Sequence, residues 1–464
     1  MGTGLIVNRR GESNAQTFAG NDYVTSIELF LVERPMRSCR RSTTPTLTVS
    51  ADWKEPEMGR GSNLSRLGDF NQTVVFDAIR RTPGGISRVE LVAETGLTAQ
   101  TVSNIVRRLL AQELIVESGR VQSAVRGKPR TLLRVEPSAR FAVGVHVDPA
   151  TLTYVLIDIE GTVREYARRR TLQARRPEQV VAAIADQVTQ LVTAAGIEPA
   201  AVLGLGVAAP GPLDVVEGVL LQPPQLAGWE KVRLRADLHA ATGLHVLVDK
   251  DVTAAAAGER WAQEGARHNF VFCYLGSGVG AGIVMDDVVL RGASNNIGEI
   301  GNILVDPGAE DLGVGEPGTL AAACLPRALV VRAARRGLIT STVSLDDFVA
   351  VDEVFTTLCE RAYAGEAACL QLIDEAATAL AAGLAVLVNA LDVDRVVLGG
   401  PIWSRISSRI LAVLPELIQP QLVAARQPLI VEGSAVGEHV AAQGAAALVL
   451  DHFLSPRPSV LLMD

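Results

Sequence analysis

Aromatic residues make up only 4% of this chain, so its cores have few large rings to pack around. With 48% apolar residues and a mean hydropathy of +0.25, those cores must be built from Ala, Val and Leu. The five cysteines, at 39, 273, 324, 359 and 369, are odd in number, scattered and without a C-x-x-C pair. That argues against a disulfide framework and fits reduced core thiols in a cytosolic protein. No apolar run reaches the roughly 18 residues that a membrane span needs, and the stretch near 380–391 reads as a short buried helix. The N-terminus lacks the apolar centre of a signal peptide. A cytoplasmic chain with no membrane partner is therefore expected.

Charge is unevenly distributed along the 464 residues. The net −8 divides into +1 for residues 1–63, +5 for 64–135 and −14 for 136–464. Such asymmetry suits one small domain that meets nucleic acid and a larger part that repels it. The expected division is 1–62, 63–136 and 137–464, the last in two lobes of about 137–260 and 261–464. Residues 1–62 have no sustained periodicity and read either as a disordered tail or as the product of an upstream start, with Met58 the natural alternative.

Residues 87–110 spell a helix, a glycine turn and a second helix. Ser87 and Glu90 make an S-x-x-E capping box, and Val89, Leu91 and Val92 give the first helix an apolar side. Gly96 suits the left-handed turn, Leu97 its core, and Thr98 the cap of the next helix. In that helix Val102, Ile105, Val106 and Leu109 fall at helical spacing and should face inward. This leaves Ala99, Gln100, Ser103, Asn104 and Arg107 outward, as on a recognition helix. Gln100 and Asn104 are candidates for base edges, while Arg107 and Arg108 suit phosphate. An ordinary helical hairpin with a solvated face is the plain alternative. The next residues count against it. Leu114, Ile115 and Val116 begin a strand that Thr131–Val135 returns, with Arg126, Lys128 and Arg130 at the tip of this wing.

From 141 onward apolar strands alternate with Ala-rich helices, which argues for α/β layers in two cycles, the second starting near 270. Several motifs follow in order: Gly204-Leu-Gly-Val-Ala-Ala-Pro-Gly-Pro212, Gly228-Trp229, Asp251, Leu275-Gly-Ser-Gly-Val-Gly-Ala-Gly282, Arg291-Gly292, Gly298-Glu-Ile-Gly301 and Gly399-Gly400. Over about residues 64–452 the chain resembles the ROK family of repressors and sugar kinases, and its winged helix resembles the repressor branch. The resemblance implies a winged helix-turn-helix followed by a two-lobed, actin-like ATPase fold.

Three departures bear on function. Family kinases open this domain with a D-x-G-G-T phosphate loop, where this chain has His146-Val147-Asp148-Pro149-Ala150. Asp148 brings negative charge, Pro149 has no N–H and Ala150 no hydroxyl, so ATP phosphates should be poorly held and no kinase activity is expected. With that loop gone, Leu275–Gly282 reads as a turn kept for fold geometry, and a second phosphate loop is the alternative reading. At the family's zinc positions stand Asn302, Leu312, Val314 and Thr319, so neither zinc nor another cofactor is expected.

The sugar-facing ring is half kept. The resemblance makes Asp251 the relic general base and Glu299 a binder of ring hydroxyls, with Gly292 and Asn302 beside them. Lys250 stands where an Asn is expected, and Ala321 where a Glu is expected. Lys250 either favours an anionic ligand such as a phosphosugar or is paired with Asp251 or Asp249. The reading as a whole is a dimeric repressor, or a higher oligomer, that binds double-stranded operator DNA and answers to a carbohydrate or phosphosugar. A bifunctional sugar kinase and a ligand-independent DNA-binding scaffold are the alternatives.

Overall fold

The computed structural model describes residues 64–455, apart from position 83 and the segments 122–129, 172–175, 224–225, 227, 263–268, 341–342 and 424–427. Of the three expected wing-tip residues, Arg126 and Lys128 lie outside the described residues and Arg130 lies inside.

The first part is α1 (Leu64–Arg80), β1 (Ile86–Ser87), α2 (Arg88–Thr95), α3 (Ala99–Ala111), β2 (Ile115–Val121) and β3 (Arg130–Val135). Its antiparallel sheet runs β1-β3-β2, which is a winged helix. Ser87 accepts from the Glu90 N–H, and the Glu90 carboxylate accepts from the Ser87 N–H at 2.8 Å. A box of this kind stabilises a helix start by about 1 kcal/mol. Gly96 closes α2 at φ 68 and Thr98 caps α3. Val102, Ile105, Val106 and Leu109 are buried as their spacing requires. One detail differs: Val89 is 61% exposed, so α2 buries Leu91 and not Val89. α1 brings Val75, Phe76 and Ile79 into the same core.

The larger part holds two five-stranded sheets built alike. In the first, β4 (Phe141–Val147), β5 (Thr151–Asp158) and β6 (Val163–Arg170) form an antiparallel meander. After α4 (Pro177–Ala194), β7 (Val202–Ala209) pairs parallel to β4. A short hairpin, β8 (Leu213–Asp214) with β9 (Val219–Leu220), and α5 (Leu234–Thr242) lead to β10 (Val246–Lys250), parallel to β7. α6 (Asp251–Ala262) follows at once.

The second sheet repeats this order. β11 (Phe270–Leu275), β12 (Val279–Met285) and β13 (Val288–Val289) are antiparallel neighbours. Four helices come next: α7 (Leu320–Cys324), α8 (Pro326–Arg335), α9 (Phe348–Tyr363) and α10 (Ala367–Leu391). β14 (Arg395–Gly399) pairs parallel to β11, α11 (Ser407–Ile418) crosses over, and β15 (Ile430–Gly433) pairs parallel to β14. α12 (Val440–Leu454) ends the fold.

α6 and α12 cross over between the halves. α12 lies on β4 and β7 of the first sheet, while α6 lies on β11 and β12 of the second. The two helices pack on each other where Gly258 meets Gly444, and a Cβ on Gly444 would stand 1.7 Å from the Ala254 carbonyl oxygen. The small residues Ala254–Ala257 and Ala445–Ala447 allow this approach, which is why so few aromatics suffice. α10, at 25 residues, contains the apolar stretch near 380–391 that reads as a buried helix, and by length and composition alone it could cross a membrane. Here its Leu372, Ile373, Leu380 and Leu384 pack with Phe355 and Leu414 in the second core.

Candidate functional site

A cleft of about 590 Å³ opens where the ends of β4, β7 and β10 face the β11–β12 turn. Asp148 and Pro149 line it from the first loop, Pro210 and Gly211 from the end of β7, Lys250 and Asp251 from the β10–α6 junction, and Tyr274 and Glu299 from the second half. Lys250, Asp251 and Glu299 are thus brought together. Gly292 and Asn302 are not among the lining residues, and Asn302 is exposed.

Neither pairing expected for Lys250 is the one formed. Its ammonium donates to Glu299 Oε1 at 2.5 Å and to the carbonyls of Ile297 at 3.1 Å and Asn296 at 3.4 Å. All three of its donors are therefore spent on the protein. Asp249 instead takes Arg291, at 3.0–3.1 Å. Asn296 holds the same loop to the first half through two bonds of 2.9 Å with the Leu213 backbone. The anchoring roles of Arg291 and Asn296 were not visible in the sequence, since their partners lie 42 and 83 residues away.

Asp251 stands at the first turn of α6, where its carboxylate accepts from the Val252 N–H at 2.8 Å. Burial pushes its carboxyl up to about 7, against the opposing pull of Lys250 and with a further push from Glu299 and Asp148.

At the first loop, burial holds the His146 imidazole down at about 4, so it is neutral, and its Nε2 sits 3.2 Å from the Tyr274 hydroxyl. The Asp148 carboxylate, 6% exposed, accepts from the Ala150 N–H at 2.8 Å and from the Ser277 hydroxyl at 3.1 Å. Burial raises its carboxyl as well, against these hydrogen bonds. In the second loop Gly282 lies against α6, and a Cβ there would come within 2.4 Å of the Val252 carbonyl oxygen. That glycine serves helix packing, as a fold-geometry reading requires.

At the four positions compared with zinc ligands, Asn302 is exposed while Leu312 and Val314 are buried with Ala328. Thr319 donates to the Glu316 carbonyl at 2.7 Å and caps α7.

On the winged helix, Gln100, Asn104 and Arg107 are exposed and Ser103 is half-buried on the same face of α3. Gln100 donates to Asn104 Oδ1 at 3.4 Å, so the two amides sit side by side. Thr98 caps this face, with its hydroxyl 2.9 Å from that of Thr101. Arg108 has Asp69 at 3.4 Å, and Arg130, at the start of β3, is 3.7 Å from Glu90. Both pairs are exposed and weak, so both guanidiniums remain open to an incoming phosphate.

The comparisons with known proteins follow this division. The ROK family model matches residues 142–452, and the MarR family model matches residues 65–121. A xylose repressor from Caldicellulosiruptor bescii is 28% identical over 401 residues, covering 85% of this chain and 98% of that repressor. A glucokinase from Halalkalibacterium halodurans is 30% identical over 273 residues but covers only 57% of this chain, and 81% of the kinase. A crystal structure of a ROK family transcriptional regulator, a homologue of the Escherichia coli MLC protein, superposes with a TM-score of 0.68 at 25% identity, covering 86% of this chain and 98% of that one. The family model spans well over half of the residues, and the chain belongs to the ROK family.

Proposed function

We propose that this chain is a transcriptional repressor of carbohydrate metabolism whose operator affinity is set by a sugar held in a kinase-like cleft that no longer transfers phosphate. One pairing carries the reading. A complete recognition helix precedes a cleft that keeps Asp251 and Glu299 but where Asp148, on the cleft wall, takes the Ala150 N–H and the Ser277 hydroxyl, donors of the kind a phosphate needs. A carboxylate already bonded there repels a nucleotide's phosphates and competes for the groups that would hold them. The relatives agree with this, since the repressor matches along both parts and the glucokinase covers a smaller share of the chain.

The effector is a neutral carbohydrate. Lys250, the one cation lining the cleft among the described residues, is matched by Glu299, whereas Asp148 and Asp251 add two carboxylates that hydroxyl groups can donate to and a phosphate would be repelled by. Zinc has no place in the mechanism: an exposed amide, two buried aliphatic side chains and a committed hydroxyl do not fit its N/S preference. The protein acts in the cytoplasm as a dimer on symmetric half-sites. Sugar works by population shift, binding one arrangement of the lobes better than another.

A second reading has one observation in its favour. A carboxyl near 7 is well poised as a general base, so Asp251 would suit a bifunctional sugar kinase. A coupled ATPase assay with a sugar panel decides between them. Sugar-dependent ATP turnover would support the kinase, and its absence alongside sugar-sensitive DNA binding supports the sensor.

A further inference from the structure

The end of α1 is held by two elements that belong to different halves of the larger domain. Arg81 donates to Asp287 at 2.7 Å. Arg80 lays its guanidinium over the Trp261 ring, 3.9 Å from the centroid. Asp287 sits in the β12–β13 turn of the second sheet. Trp261, at the end of α6, is packed against Gly161 in the β5–β6 turn of the first sheet, where a Cβ would stand 2.8 Å from its ring. Arg260 ties these together, reaching the Asp287 carbonyl at 3.2 Å, its carboxylate at 3.5 Å and Asp451 of α12 at 2.5 Å.

Two features of this joint are costly to a protein that needed only a static support. Asp286 and Asp287 make a two-residue hairpin turn with φ of 50 and 64, a conformation that ordinarily selects Asn-Gly. In addition, Arg80 Nε, Arg260 Nε, Trp261 Nε1 and Asp287 Oδ1 are buried without a hydrogen-bond partner among the described residues. Strain and unmet polar groups kept in one place point to a contact that exchanges between two states.

The same helix leads back to the cleft. α6 begins at Asp251 on the cleft wall and ends at Arg260 and Trp261 in the joint, a rise of about 18 Å for its twelve residues. Its backbone contact with α12 at Gly258 and Gly444 leaves little room for bending.

We propose that Arg81, Arg260 and Asp287 form an ionic latch binding the DNA-reading domain to both lobes at once, so that a change in lobe angle at the cleft is transmitted to α1. The latch rests on the sensor reading above for its purpose, but its mechanics do not depend on the identity of the sugar. When Asp287 moves with the second sheet relative to the Gly161 turn of the first sheet, on which Trp261 packs, α1 cannot keep both anchors, and the winged helix is released from its fixed orientation.

The test uses the full chain and Asp287→Asn, which removes the charge while keeping a side chain that tolerates the left-handed turn. Arg81→Gln removes the other partner, in case the turn itself is disturbed. In hydrogen exchange, amides of α1 should exchange at least fivefold faster in either variant, with the strands of the first sheet unchanged. Unaltered α1 exchange in both variants overturns the latch. A second arm measures binding to the chain's own upstream DNA with and without D-xylose, the sugar named for a repressor relative. Xylose affinity should stay within twofold, while the xylose-induced change in DNA affinity falls at least fivefold. A full-sized change in both variants also overturns the latch. If the unaltered chain shows no response to any sugar, the proposed function fails, and the exchange arm still decides the latch.

Discussion

Lys250 and Glu299 meet at 2.5 Å across the wall of the cleft, with the lysine side chain buried and the glutamate largely exposed. The contact gives the cleft's lysine a structural task, holding the 291–302 loop, and leaves it no free charge to offer a ligand. Lys250→Ala should therefore weaken neutral and phosphorylated sugars by similar factors. It should also lower stability by about 1–3 kcal/mol, the cost of leaving buried carbonyls without a donor. Calorimetric titration with D-glucose and glucose 6-phosphate checks this, and a loss confined to the phosphosugar would return the lysine to a ligand-binding role.

Asp251 should make effector binding depend on pH. A carboxyl near 7 accepts hydrogen bonds from sugar hydroxyls best when ionised, so affinity should rise from pH 6 to pH 8, by up to about tenfold if only the ionised form binds. The stability sign runs the other way. The folded value is above the unfolded one, so the ionised carboxyl costs stability progressively from about pH 4 to about pH 7, and that cost persists at higher pH. Asp251→Asn should flatten the binding profile, weaken sugar and raise Tm at pH 8 relative to pH 5. An unchanged pH profile in the variant would assign the titration elsewhere.

The 306–319 loop should be indifferent to chelators. Leu312→Ala should destabilise it by about 2–4 kcal/mol through the cavity left beside Val314 and Ala328. EDTA should leave the Tm of the unaltered protein unmoved. A fall in Tm on chelation would show a metal that this donor set does not account for.

On DNA, Gln100→Ala should relax sequence preference at one base position by about 1–3 kcal/mol. Arg107→Ala should weaken all sequences alike and lower the salt slope by about one. Arg126→Ala, in the basic segment that joins β2 to β3 in sequence, should behave as Arg107→Ala does. Fluorescence polarisation at several salt concentrations separates the two patterns.

The parts of this protein that were legible in its sequence are those fixed over short distances. The Ser87–Glu90 box, the Gly96 turn, the Thr98 cap and the inward face of α3 each depend on residues within one or two turns, and all stand as their spacing predicts. Strands such as β4 and β11 were equally plain, because fully buried strands read as unbroken apolar runs. What the sequence hid was set by chain-distant pairing. Lys250 finds Glu299 49 residues later, and Arg81 finds Asp287 206 residues later. The exposed Val89 and the exchange of α6 and α12 between sheets likewise depend on what tertiary packing brings nearby. The motif resemblance placed Asp251 and Glu299 in the cleft, but it could not say that Lys250 would claim Glu299 first.

Polarisation binding of the full chain to its own upstream intergenic DNA, with and without a panel of sugars and sugar phosphates, shows whether one molecule reads DNA and a sugar together. Salt-sensitive, sequence-specific binding that a neutral sugar shifts and its phosphate does not is the expected result. Specific binding that no sugar moves, or the absence of specific binding to any upstream fragment, would contradict it.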